Sequence, residues 1–130
     1  MKHEESGYPK DWMKIGEKEL KRARNLLGLG DPEGAGFNLQ QALEKHFKAY
    51  LLSRGWKLRR IHDLETLLNE AVIHDASFEE YRAACQKITQ YYIEERYPSA
   101  ATSELTEKEM KESLAITERV IAKLRNSIRE

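Results

Sequence analysis

The stretch NLQQALEKHFKAYLLSRGWKLRRIHDLETLL, Asn38 to Leu68, decides how this chain is built. Its first half carries Leu43, Phe47, Tyr50 and Leu51 at helical steps, with Phe37 just before it. Between them stand Gln40, Gln41, Glu44, Lys45 and Lys48, so pairs such as Gln40–Glu44 and Gln41–Lys45 share a helix face. Two readings of these polar positions are open. They form a solvated face with local pairs, or they are partly buried groups that need a partner. Gly55 then stops the helix, and Trp56 to Ile61 form a basic connector. Six cations (Lys45, Lys48, Arg54, Lys57, Arg59 and Arg60) fall between Lys45 and Arg60 without one acid. This local positive potential suits phosphates of RNA, DNA or a nucleotide, with Trp56 as a stacking surface. The plainer alternative is a solvated loop with Trp56 tucked into the core.

Helical spacing extends outward in both directions. A first helix is expected over about Asp11 to Leu29, with Trp12, Ile15, Ala23, Leu26 and Leu27 as its apolar side, closed by the Gly28–Pro32 turn. The second runs from between Glu33 and Gly36 to about Arg54. Asp63 or His62 caps a third helix through Leu64, Leu67, Leu68 and Ala71. Ser77 is expected to cap a fourth, carrying Phe78, Tyr81, Cys85, Ile88 and Tyr92, which ends before Pro98 and a Ser99–Ser103 loop. Thr106 and Glu109 make a capping box for a fifth, striped by Met110, Leu114, Thr117, Ile121, Leu124 and Ile128. No segment alternates like a strand. The expected fold is all-α, an antiparallel up-and-down bundle of four to five helices.

The 130 residues suffice for one hydrophobic core, read as an N-terminal extension (1–10) and a single helical domain (11–130). Lys+Arg and Asp+Glu both total 22, so bulk charge does not drive binding to nucleic acid or membrane, while a local patch can. A lone cysteine, Cys85, rules out an intramolecular disulfide and sits on an apolar stripe, as a core residue would. No helix pairs two histidines at ligand spacing, so neither metal nor cofactor is expected. The N-terminus lacks a signal-peptide core and no apolar run spans a bilayer, so a cytoplasmic protein that does not enter membranes is expected.

Two further constellations carry chemistry. His62-Asp63 is either an oriented imidazole or a cap with a locally bonded histidine. In YYIEERYPSA, Tyr91 to Ala100, Arg96 is either a cation favourable at a helix C-terminus or a phosphate-binding, transition-state-stabilising group facing a cleft. Whether Tyr91, Tyr92 and Tyr97 line that cleft or pack inside is left open by the sequence.

Taken in order, FNLQQALEKHFKAYL (Phe37 to Leu51), HDLETLL (His62 to Leu68) and ERYP (Glu95 to Pro98) resemble the HEPN domain family of prokaryotes. The resemblance extends over about Asp11 to Ile128 and implies a helical bundle that forms a homodimer, often encoded beside a minimal nucleotidyltransferase. It also implies that the Gln/Glu/Lys helix borders a polar cleft near the dimer interface. Many members are metal-independent ribonucleases with an arginine separated from a histidine by four to six intervening residues. Arg96 resembles that arginine, but Ala101, Thr102 and Ser103 stand where the histidine belongs. The leading expectation is therefore a non-catalytic module that holds nucleotide or RNA through Gln41, Lys45, Lys48, Arg59, Arg60, Arg96 and Tyr97, and pairs with a nucleotidyltransferase. One alternative is a ribonuclease toxin of a toxin–antitoxin system, using Arg96 with a displaced histidine such as His62. Another is a purely structural interaction protein that uses the Met110–Ile128 stripe.

Overall fold

Each helix starts where the sequence supplies a start signal. Helix α1 (Pro9–Gly28) has proline in its first turn, where the missing N–H costs nothing. Helix α2 (Pro32–Ser53) repeats the device, and the Asp31 carboxylate accepts a hydrogen bond from the Gly34 N–H at 3.0 Å. Asp63 caps α3 (Leu64–His74) by accepting from the Glu65 N–H, and Thr106 caps α5 (Glu107–Ser127) by accepting from Glu109. Gly30 (φ 80°) and Gly55 (φ 86°) adopt the left-handed backbone that lets the chain leave α1 and α2. The computed structural model describes residues 6–96 and 105–128, the side chains of 94–96 excepted.

One junction differs from the sequence expectation. Ser77 does not cap the fourth helix. Asp75 caps instead, taking hydrogen bonds from the Ser77 N–H and hydroxyl at 3.0 and 2.6 Å. The carboxylate outcompetes the hydroxyl as an acceptor, and the chain first makes a short 3-10 turn (Ala76–Tyr81) before α4 (Arg82–Arg96). The expected loop at Ser99–Ser103 and the stop at Pro98 lie outside the described residues.

The molecule is an all-α bundle of five helices, and no strand occurs among the described residues. Helix α2 is its axis, packing against α1, α3, α4 and α5. Its burial runs almost all the way round, from Ala35, Leu39, Leu43 and Phe47 to Gln40, Glu44, His46 and Lys48. Between its ends, only a strip of Phe37, Asn38, Gln41 and Lys45 is left partly exposed, so the helix has no fully solvated face, which explains why its sequence reads as only weakly amphipathic. The α5 stripe is spent on the core: Met110, Thr117, Ile121 and Leu124 are buried, while Leu114 and Ile128 pack partly buried at its edge. Cys85 is fully buried, and burial pushes its thiol up to about 12. No helix of the described residues is long and apolar enough to cross a membrane.

Candidate nucleotide or RNA cleft

Along α2, Gln40, Glu44 and Lys48 stand four residues apart and so share one face. All three are buried, at 0%, 0% and 3% exposure. The Glu44 carboxylate is the hub. One oxygen takes hydrogen bonds from the ammonium groups of Lys45 at 2.9 Å and Lys48 at 3.0 Å. The other lies 3.0 Å from His62 Nδ1 and 3.3 Å from the Gln40 amide nitrogen. Gln40 also donates to the His62 backbone carbonyl at 2.7 Å, tying the connector to α2, and Gln41 donates to the Gln40 side chain at 2.7 Å. Burial alone would raise the Glu44 pKa. The charges of Lys45 and Lys48, the Lys45 hydrogen bond and His62 outweigh it, and the carboxyl sits below its ordinary range. Burial draws Lys48 downward, opposed by Glu44.

Above this hub opens a cleft of about 330 Å³, lined by Trp12, Gln41, Lys45, Lys48, Arg59, Arg60 and His62. The Trp12 ring lies under both ammonium groups, 5.5 Å from Lys45 Nζ and 5.3 Å from Lys48 Nζ. Its indole N–H donates to the Ser6 carbonyl at 2.7 Å, which fastens the segment before α1 across the cleft's edge. Arg59 and Arg60 are exposed at the rim and form no ion pair among the described residues. The connector therefore presents two uncommitted guanidiniums, whereas the α2 lysines are held in place by a carboxylate.

His62 is gripped from two sides. Its ring stacks on Tyr92 at 5.1 Å and 18°, Tyr92 stacks in turn on Phe37 at 5.8 Å, and Glu44 holds Nδ1. Since a carboxylate only accepts, Nδ1 donates in that bond and Nε2 lies on the far side of the ring from Glu44. The side chain is 48% exposed.

Of the residues singled out in the sequence, the fold brings Gln41, Lys45, Lys48, Arg59, Arg60 and His62 to this one cleft. The Arg96 side chain and Tyr97 lie outside the described residues. Tyr91 is buried with its hydroxyl 2.7 Å from the Ser113 hydroxyl, so it packs inside, while Tyr92 supports His62. Trp56 packs against the core, and the aromatic surface among the cations is Trp12. Trp12 shows in the sequence only as a core position. Glu44 is not among the site residues expected from the sequence; the four-residue spacing of Gln40, Glu44 and Lys48 is the signal that points to it. No group of three or more His, Cys, Asp or Glu among the described residues is arranged to hold a metal ion.

Comparison with known proteins now bears on this arrangement. The HEPN domain model matches residues 9–127. The chain belongs to the HEPN domain family. Among solved structures, this HEPN protein is similar to TT1696 from Thermus thermophilus, with a TM-score of 0.81 and 30% identity over 92% of this chain and 97% of that one. It is also similar to ST0689, an archaeal HEPN homologue, with a TM-score of 0.74 and 26% identity over 94% and 98% of the two chains. A comparison with curated proteins gave no match. The HEPN fold here places the mixed helix α2 at the centre and the basic connector over it.

Proposed function

We propose that this HEPN protein is a binding module that holds a nucleotide or a short RNA segment in the basic cleft, works as a homodimer and pairs with a minimal nucleotidyltransferase. The observation that carries the ligand assignment is the convergence of Lys45, Lys48, Arg59 and Arg60 on one cleft floored by Trp12. Glu44 neutralises part of the lysine charge and fixes both ammonium groups, so they are ordered before a ligand arrives. Arg59 and Arg60 supply forked donors that match phosphate oxygens. Nucleotidyltransferase pairing and dimerisation rest on the family resemblance alone. The test is titration of labelled ATP and a labelled RNA oligonucleotide into wild type and the Arg59→Gln/Arg60→Gln variant. Wild-type binding that weakens at least tenfold in the variant and falls with salt supports the reading; equal binding by both proteins sinks it.

One observation favours a second reading, a metal-independent ribonuclease. The Glu44–His62 contact orients an imidazole at the cleft through Nδ1, with Nε2 on the far side of the ring, the orientation a histidine in proton transfer uses. RNA cleavage in excess chelator that His62→Ala abolishes, with the fold intact, would move this reading to the front.

A further inference from the structure

Like the connector, the outward face of α1 exposes charge of one sign in this neutral chain. Every exposed charged residue on α1 is a cation: Lys10, Lys14, Lys18, Lys21, Arg22 and Arg24. Its three acids are only half-exposed, and each is engaged elsewhere. Asp11 accepts from the Ser6 hydroxyl, Glu19 pairs with Arg22, and Glu17 turns toward His46 and Arg125. Arg24 pairs with Glu118 of α5. The four lysines remain, and none forms an ion pair among the described residues. By contrast, α5 exposes both signs, Glu107 and Glu112 beside Lys108, Lys111 and Arg119.

Lys10, Lys14, Lys18 and Lys21 are spaced by four, four and three residues, which puts them in one row about 16 Å long at 1.5 Å rise per residue. The row lies on the side of the helix opposite Trp12, Leu20 and Leu27, which are buried, so it is separate from the cleft. One nucleic-acid strand in a duplex places a phosphate about every 3.4 Å along the axis, so about five phosphates span the same length. An unbroken row of one sign is what a repeating anion selects, and a mixed surface is what it avoids.

We propose that this row is a second, sequence-independent contact for the phosphodiester backbone of a nucleic acid, independent of whether the cleft binds a nucleotide. A membrane surface fits less well, because the apolar side of α1 is consumed by the core and no apolar face is left to insert.

The experiment compares wild type with the Lys10→Gln/Lys14→Gln/Lys18→Gln/Lys21→Gln variant, in which glutamine preserves helix propensity. A fluorescein-labelled mixed-sequence RNA, single-stranded and as a duplex, is titrated over a range of salt, beside ATP and phosphatidylserine vesicles. Circular dichroism confirms the fold. The expected result is a salt dependence of log K that flattens in the variant by about 3 for the single strand, or nearer 4 for the duplex, with ATP behaving alike in both proteins. An unchanged slope in the variant overturns the proposal. So does wild-type protein that ignores both RNA forms, or that binds the vesicles and not the RNA. If ATP binding is absent while the slope changes, the nucleotide half of the cleft reading fails and this proposal stands.

Discussion

Glu44 Oε1 and His62 Nδ1 lie 3.0 Å apart, joining the buried centre of α2 to the exposed connector that follows it. The same carboxylate holds two lysines, so one side chain sets the geometry of a charged cleft from below. The arrangement is a preorganised electrostatic scaffold rather than a chance surface pair.

Removing the hub exposes what it balances. Glu44→Ala leaves the 3% exposed Lys48 ammonium buried without its counter-charge, and a loss of about 3–5 kcal/mol is expected. Glu44→Gln keeps an oxygen toward the lysines and costs less. Urea unfolding of both variants measures this, and a loss below about 1 kcal/mol for the alanine variant would show that the lysine escapes to water.

Acid should weaken the fold in two stages. His46 is buried against Gly16, with Nδ1 2.7 Å from the Ala42 carbonyl and Nε2 3.3 Å from Glu17. Burial lowers its pKa, with the Ala42 and Glu17 contacts opposing and Arg125 assisting. The folded protein therefore resists a proton that the unfolded chain accepts below about pH 6.5. Its contribution is complete above that pH and drains as pH falls toward the lower folded value. Glu44, also depressed when folded, adds a later loss below about pH 4.3. Urea midpoints followed from pH 8 to 5 should fall for wild type and fall less for His46→Gln; parallel curves would remove His46 from the account.

Two glycines of one helix should respond oppositely to alanine. At Gly16 a Cβ would lie 2.5 Å from His46 Nδ1 and 2.6 Å from its Cε1, where α1 crosses α2. Gly16→Ala should cost about 1–3 kcal/mol by overpacking, despite the helix-propensity gain. At Gly28 nothing lies within 4 Å, so Gly28→Ala should stabilise by about 0.4–1 kcal/mol. Thermal midpoints moving in the same direction for both would contradict the packing argument.

Trp12 has two roles that one substitution separates. Trp12→Phe keeps an aromatic ring beneath Lys45 and Lys48 but removes the N–H that holds the Ser6 carbonyl. A stability loss of about 1–3 kcal/mol is expected, from a lost bond and a smaller ring. Amide exchange at Gly7 and Tyr8 should speed up more than exchange in α2. Uniform acceleration across the protein would mean that the tether is not local.

Much of this was legible in the sequence because it rests on local chemistry. Proline starts, the Asp63 and Thr106 caps, and the glycine stops are written within a turn of where they act. The connector's cations and the α2 lysines were visible as a cluster for the same reason. Three features were hidden because they depend on what packs across space. Sequence alone sets Trp56 among the cations and Trp12 on the apolar side of α1, because the packing that brings Trp12 beneath Lys45 and Lys48 joins α1 to α2 across space. The stacking of His62 on Tyr92 joins residues that meet only after α4 folds back. Ahead of α4, the Asp75 carboxylate caps a 3-10 turn by taking the Ser77 N–H and hydroxyl, where the sequence points to Ser77 as the cap of the helix itself.

The enclosure of α2 divides the cleft into a part that is hard to alter and a part that is free to drift. Lys45, Lys48 and Glu44 sit on a helix whose neighbouring positions hold the core, so few replacements there leave the fold alone. Arg59 and Arg60 are exposed and form no ion pair among the described residues, although Trp56 and Ile61 of the same connector pack against the core. Substitution at the rim can therefore change the charge at the cleft's mouth without touching the core, while the positive charge of the inner lysines stays tied to the fold.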